Sequence, residues 1–442
     1  MSKLKVGFGK IDINPIEPIT LGGLPIPPGK TRIWDGDILD SIYAICIAIT
    51  DENNNTVLLI SDDLCQIQFM EGKKKYIAQA TGVPEDNIYV SCTHTHSAPT
   101  NHPEGEKGRR YGEYLALRMA VAAAEAMGDR KPATMEFAKV ETENMTFSRR
   151  YINTVGGIFT NINGTIRVGP EEEPDNFLQL LRFKREGGKD ILLSNFQGHY
   201  HGSSTDGENY TKVSSNFCGA YRDKMEQETG CHVAYFSGAG GNLAVRCVYH
   251  KERNVSTDHI DHGQRLAAFA LDEKVTYEPL AGGKIKNRSL VYTGVTKKEP
   301  ELYEIAKKVK EYYKQTGDKE GAMKFAEGTS LRNPNHAGYV IRNMNLPDNF
   351  QVELKAIAIG DLAIVTAPCE MFSSIGERAK AESPYKQTLV FQLTDGSIGY
   401  IPSTCAYEHG GYEIGSTPFA KGTAEGYHET FMTMLHSMKE EN

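Results

Sequence analysis

The residues Thr93-His94-Thr95-His96-Ser97 follow an apolar, β-branched run, Asn87-Ile-Tyr-Val-Ser-Cys92, that reads as a buried strand. Side chains alternate with period two in an extended chain, so His94 and His96 would leave the strand end on one face. Two imidazoles projecting together are what a zinc site needs, because the neutral ring nitrogen is a good ligand near neutral pH. A polar strand end with solvated histidines fits this triplet equally well. A second pair shifts the balance: Gly198-His199-Tyr200-His201-Gly202 follows another strand-like run, Asp190-Ile-Leu-Leu-Ser-Asn-Phe196. Only 13 histidines occur in the chain, so two such pairs at expected strand ends point to a pocket that collects metal ligands.

Other residues carry weaker signals. Glu370 follows the apolar run Leu362–Thr366 at an expected helix start, where it is either a ligand gathered at a strand end or a first-turn carboxylate favoured by the helix dipole. Tyr400 alone reads as a core or rim aromatic. Ser237-Gly-Ala-Gly-Gly-Asn242 is a glycine-rich turn after a strand, suited to holding an oxyanion on its N–H groups or to close backbone packing. It lacks both GxGxxG and a Walker lysine, which argues against a nucleotide. Asp258-His-Ile-Asp-His262 reads as a capped, exposed helix start, and Asp62-Asp63 as capping or supporting carboxylates. His102 is a further pocket candidate.

The elements that must position these residues are interleaved. Strand patterns recur at Leu4–Ile11, Ile42–Thr50, Thr56–Ser61, Phe177–Phe183, His232–Phe236 and Gln351–Ile357, and helical periodicity at Met70–Thr81, Arg110–Met127, Asn216–Thr229, Glu370–Ala381 and Glu425–Met438. Several strands are consecutive, which predicts an α/β fold with mixed sheets flanked by helices. The expected organisation is a single domain over 1–442 with an insertion at about 298–350. That insertion comprises a charged helical part, Lys298–Gly328, and an Asn- and Pro-rich loop, Leu331–Phe350, of the length that lids have.

A net charge of -8 argues against nucleic acid as a partner. There is no long apolar run for a membrane span and no amphipathic helix with a basic face for stable membrane association. The N-terminus has no apolar signal region, and the eight cysteines form no CxxC and sit mostly in apolar runs. Free thiols in a reducing cytoplasm are the expectation. The oligomeric state is not legible.

Taken in order, Ser91-Cys-Thr-His-Thr-His-Ser97, Asn195-Phe-Gln-Gly-His199, Pro368-Cys-Glu370 and Gly399-Tyr400-Ile-Pro402 resemble the catalytic domain of the neutral/alkaline ceramidases, a family of zinc-dependent amidases. The resemblance runs from Val6 to Tyr412. It implies one Zn²⁺ held by His94, His199, Glu370 and Tyr400, with His96 beside the metal-activated water. It also implies Arg149, with Arg150 one residue away, near the substrate, and Tyr412, twelve residues after Tyr400, as a second active-site tyrosine. Two histidines and a carboxylate also suit Fe, Mn or Ni.

The sequence departs from that family at one chemical position. Where the ceramidases carry an active-site serine followed by proline, this chain has Ala244-Val245. Alanine supplies neither a nucleophile nor a hydrogen bond. His201 is a candidate to replace the missing donor. The polar inventory Arg149, Arg150, His96, His201, Tyr412 and Glu413 suits a small hydrophilic molecule. The expected function is therefore a zinc-dependent hydrolase cleaving an amide, lactam, lactone or ester of a small polar substrate. A neutral ceramidase (N-acylsphingosine amidohydrolase) is one alternative, and a zinc lyase or isomerase acting on a sugar- or polyol-derived acid is another, since the same metal could stabilise an enolate.

Overall fold

The computed structural model describes all residues except 1–3, 25, 27–30, 35, 69, 71, 102–104, 154–157, 161–166, 200–206, 248–250 and 442. His102 and His201 therefore lie outside the described residues. Alternation within the strands builds the core. In Tyr43–Thr50, Ala44, Cys46 and Ala48 point to one face and Ile45, Ile47 and Ile49 to the other, and both faces are buried. The first face packs on the long helix Glu106–Gly128 through Leu115 and Met119. The second meets another sheet through Ile357, Ile364, Leu389 and Phe391, with Phe236 and Phe391 stacked at 4.4 Å. Each such large apolar side chain contributes on the order of 1.5–3 kcal/mol by leaving water.

The larger sheet runs in the order His232–Ser237, Ile191–Phe196, Phe177–Arg185, Lys131–Glu141, Leu4–Asp12, Tyr43–Thr50, Thr56–Asp62, Ile88–Cys92, with Glu278–Leu280 added beside Lys131–Glu141. It is mixed: its interior pairs are antiparallel, and the pair at each end is parallel. The smaller sheet is Ile285–Val295, Asn349–Ile359, Leu362–Thr366, Gln387–Phe391, its last pair also parallel. Helices Asn216–Thr229 and His259–Ala270 cover the larger sheet, and Ser373–Glu382 and Thr423–Glu440 cover the smaller one. The layers run helix, sheet, sheet, helix, an α/β fold with mixed sheets as expected. No helix among the described residues is long and apolar enough to cross a membrane.

Three local readings change. The segment expected as a loop over 331–350 contains the helix Pro334–Asn345. Its Asn-Pro start is a helix signal: the Asn333 side chain accepts from the N–H groups of Asn335 and His336, and Pro334 takes the first position, where no donor is needed. With Pro300–Thr316 and Lys319–Lys324 it encloses its own small core around Leu302, Val309 and Val340. The segment expected as a helix from Glu370 begins as the short strand Glu370–Met371, and the helix starts at Ser373. Asp258 caps its helix as expected, but His259 and His262 are buried rather than exposed.

The burial of His262 predicts an acid-sensitive step. Burial pushes its pKa down to about 3, so the folded protein keeps the ring neutral while the unfolded chain protonates near its ordinary value. A group with a depressed basic pKa stabilises the fold above its unfolded pKa, and that stability is lost as pH falls below it. The loss amounts to about 2 kcal/mol near pH 5. Urea unfolding at pH 7 and 5 is expected to show this loss, and His262→Gln is expected to shrink it. An unchanged pH dependence in the variant would refute the assignment.

A candidate metal centre

The parallel edges deliver the histidines. Ile88–Cys92 and Ile191–Phe196 each run parallel to a neighbour, and the carboxyl ends of such strands open into a crevice where side chains can gather. The strand carrying His94 does not continue as expected. It stops at Cys92, and His94 takes φ of 66°, in the left-handed region. Local bonds hold it there: His94 N–H donates to Leu64 O at 3.0 Å, and Thr93 Oγ1 donates to Asp63 Oδ1 at 3.1 Å. Asp63 is itself gripped by both terminal nitrogens of buried Arg222. His94 and His96 still converge, through a turn rather than through strand alternation, with ring centroids 4.8 Å apart.

His94 Nδ1 donates to Cys65 O at 2.6 Å, which turns the Nε2 lone pair toward the centre. His94 Nε2 lies 3.3 Å from His96 Nε2 and 3.3 Å from Glu370 Oε2, and His199 Nε2 lies 3.0 Å from His96 Nε2. Ligands bonded to zinc at about 2.0–2.2 Å in a tetrahedron stand roughly 3.3 Å apart, the scale of the His94–Glu370 separation and of the 3.6 Å between His199 Nδ1 and Glu370 Oε2. The ligand atoms of His94, His199 and Glu370 all fall within 4.8 Å of one another, and all three residues are buried. Glu370 Oε2 makes no hydrogen bond although enclosed, and faces His94 and His199, so it fits a cation held between them. Buried as it is, Glu370 is held below the usual carboxylate range by His94 and then Arg149; burial likewise opposes a charge on His94, but Glu370 overcomes it and raises that pKa.

Tyr400 enters from the strand Tyr400–Ile401, which pairs in parallel with Glu370–Met371 so that Tyr400 stands opposite Glu370. Its ring lies 5.4 Å from the Arg149 guanidinium, and burial together with Glu370 raises its pKa well above the usual value. Tyr412 lies 5.7 Å away, ring to ring, and is 45% exposed, so it forms the open side of the recess.

Arg149 is placed differently from the expected substrate clamp. It is buried: Nε donates to Glu413 Oε1 at 2.8 Å and Nη2 to Gly241 O at 2.7 Å, while Nη1 lies 3.0 Å from His199 Nδ1. It braces His199 and Tyr400. Arg150 is equally engaged, by Glu413, Glu171 and Gly410 O. Glu413, fully buried between the two guanidiniums, is held well into its charged form by them against the cost of burial.

The glycine-rich turn packs closely. A Cβ at Gly241 would lie 2.6 Å from Glu370 O, and Gly241 N–H donates to Met371 O at 2.7 Å. Ala244 pairs with Phe147, two residues before Arg149, and brings no hydroxyl to that edge. Sequence reasoning also missed supports on the other side. Arg32, fully buried, donates to Gly22 O, His96 O and Tyr210 O. Gly23, at φ 90°, lies so close to His96 that an added Cβ would sit 2.7 Å from the ring. Cys65 brings its sulfur within 3.8 Å of His94 Nδ1. None of these carries a local signal, because each acts across a long stretch of chain.

No protein-family model and no curated protein sequence matches the chain. Its fold does match solved structures. A ceramidase complexed with C2 superposes with a TM-score of 0.73 at 17% identity, over 100% of this chain and 76% of that one. The neutral ceramidase from Pseudomonas aeruginosa matches with a TM-score of 0.73 at 16% identity, over 100% of this chain and 75% of that one. The fold is neutral-ceramidase-like.

Proposed function

We propose that the chain is a zinc-dependent hydrolase that cleaves an amide, lactam, lactone or ester bond of a small polar substrate. The observation that carries this reading is the buried meeting of His94, His199 and Glu370 at ligand spacing. These three would hold the ion, with Tyr400 as the fourth ligand. Bound there, zinc supplies Lewis acidity that polarises an acyl carbonyl and lowers the pKa of water to about 7. The remaining steps fall to the protein. His96, facing both other imidazoles, accepts the proton of the attacking water and returns it to the leaving nitrogen or oxygen. Tyr412 donates a hydrogen bond to the acyl oxygen as charge develops. Burial, and then its contact with Tyr339, raise the Tyr412 pKa and keep the hydroxyl protonated. Arg149 holds His199 and Tyr400 in place, and His201 is a further candidate donor.

Hydrolysis of an N-acylsphingosine is the second reading, favoured by the fold it shares with a ceramidase bound to C2. Ala244 counts against it, since no hydroxyl stands at that position. A panel of polar amides, lactams, lactones and esters, assayed beside short-chain N-acylsphingosine, separates the two. Turnover of a polar member, abolished by chelator and restored by zinc, is expected. Faster turnover of the sphingosine amide would transfer the case to the second reading, and chelator-insensitive turnover would overturn both.

A further inference from the structure

Arg149 and Arg150 are neutralised by Glu413 and Glu171, and Lys297 pairs with Glu299 at 3.0 Å. Two other guanidiniums on the same side have no carboxylate partner. Arg342 donates only to Asn343 Oδ1 and Ser416 O. Arg332 makes no hydrogen bond or ion pair among the described residues, although its Nη2 lies 2.9 Å from where a Cβ at Gly410 would stand. Gly410 is two residues before Tyr412, and its carbonyl is held by Arg150.

Beside the exposed Arg332 guanidinium lies a buried group without a hydrogen bond. His336, 6% exposed, packs against Gly415 in the segment carrying Tyr412 and Glu413, 3.1 Å from where a Cβ there would stand. Both of its ring nitrogens lack a partner. Burial, Arg332 and Lys297 push its pKa down to about 4, so it is a neutral ring with one N–H to give. Buried polar groups are nearly always satisfied, and a buried imidazole with neither nitrogen bonded, next to an unpaired guanidinium, calls for a ligand. All of this is carried by the helix Pro334–Asn345 and the residues just before it, and that helix packs against the short helix Tyr412–Ser416.

We propose that Arg332 and His336 form a recognition subsite for an oxyanionic group on the substrate, presented by the inserted helices to the open side of the recess at Tyr412. The planar guanidinium fork fits a carboxylate or a phosphate through paired N–H donors, and the imidazole adds one more. This deepens the hydrolase reading, on which it rests: the substrate would be an acylated acid rather than a neutral amide. The fully engaged Arg149 and Arg150 cannot take that role.

The test is direct binding by calorimetry to the full, metal-loaded chain. The probes are N-acetylglycine, N-acetyl-4-aminobutyrate and N-acetyl-6-aminohexanoate, each against its carboxamide, with 2-acetamidoethyl phosphate as the phosphate arm. At least one anion is expected to bind about tenfold or more tightly than its neutral twin, a difference of ~1.4 kcal/mol. Arg332→Gln, at an exposed position, should abolish that preference without shifting the melting temperature, and His336→Asn should weaken it. A preference for the phosphate, lost in the same variant, supports the subsite and assigns it to phosphates. Equal binding of anion and amide would overturn the proposal. So would a preference that Arg332→Gln leaves intact, because such a preference belongs to the metal centre. Repeating the titration on His94→Ala separates the two ideas. Discrimination that persists there, while the unsubstituted zinc-loaded chain hydrolyses no member of the panel, sinks the hydrolase reading and keeps the subsite; hydrolysis by the unsubstituted chain without discrimination does the reverse.

Discussion

His94→Ala is expected to take the purified protein from about one zinc per chain to a small fraction of that, and to lower hydrolysis by more than the ~100-fold that loss of a ligand's hydrogen-bond partner typically costs. The argument is geometric. The ring nitrogens of His94 face Cys65 O and Glu370, at 2.6 and 3.3 Å, so removing it deletes a neutral donor and releases the buried carboxylate it restrains. Alanine is also strained at this left-handed position, by roughly 1–2 kcal/mol. His94→Asn is therefore the companion variant: asparagine tolerates that conformation but ligates zinc poorly. Elemental analysis and chelator-sensitive turnover of both variants give the answer. Zinc retained at wild-type stoichiometry in both would remove His94 from the ligand set and sink the proposed centre.

The second large effect is on stability. Glu413→Gln should destabilise the fold by about 3–5 kcal/mol, the usual cost of leaving a buried charge without its partner. Here one carboxylate serves two buried guanidiniums, at 2.8 Å from Arg149 and 2.6 Å from Arg150. The variant should also bind zinc more weakly, because Arg149 links Glu413 to His199 and Tyr400. Glu413→Asp, which keeps the charge, should recover part of both losses. Urea unfolding measures the first and competition with a chromophoric chelator the second. A stability loss under about 1 kcal/mol, the scale of a solvent-screened surface pair, would show that the pair is not the brace the geometry implies.

The layered architecture was legible because its cause is local. Runs such as Tyr43–Thr50 are apolar on both faces, which demands that a strand be covered twice, and the periodic helices supply one cover. His94, His96 and His199 could be singled out because they stand just beyond such strands. The helical character of the charged stretch after Lys298 was legible, but the Asn-Pro composition that follows was read as a loop when it is a capped helix start. Glu370 was named through a resemblance, but its placement on a two-residue strand depends on pairing with Tyr400, thirty positions away, and no local period encodes that pairing.

What the sequence determined by itself was the set of donors and the strands that end beside them. The meeting of those donors was decided by tertiary structure, as was the commitment of each. Parallel pairing at the two edges of the larger sheet brings His94 and His199 to one place. Long-range hydrogen bonds then engage Arg149 inside the cluster, while Glu370 Oε2 and both ring nitrogens of His336 are left without a hydrogen bond. The physical reason is that a residue's type sets what it can bond, whereas the bonds already made to it by distant parts of the chain set what it has left to offer a ligand.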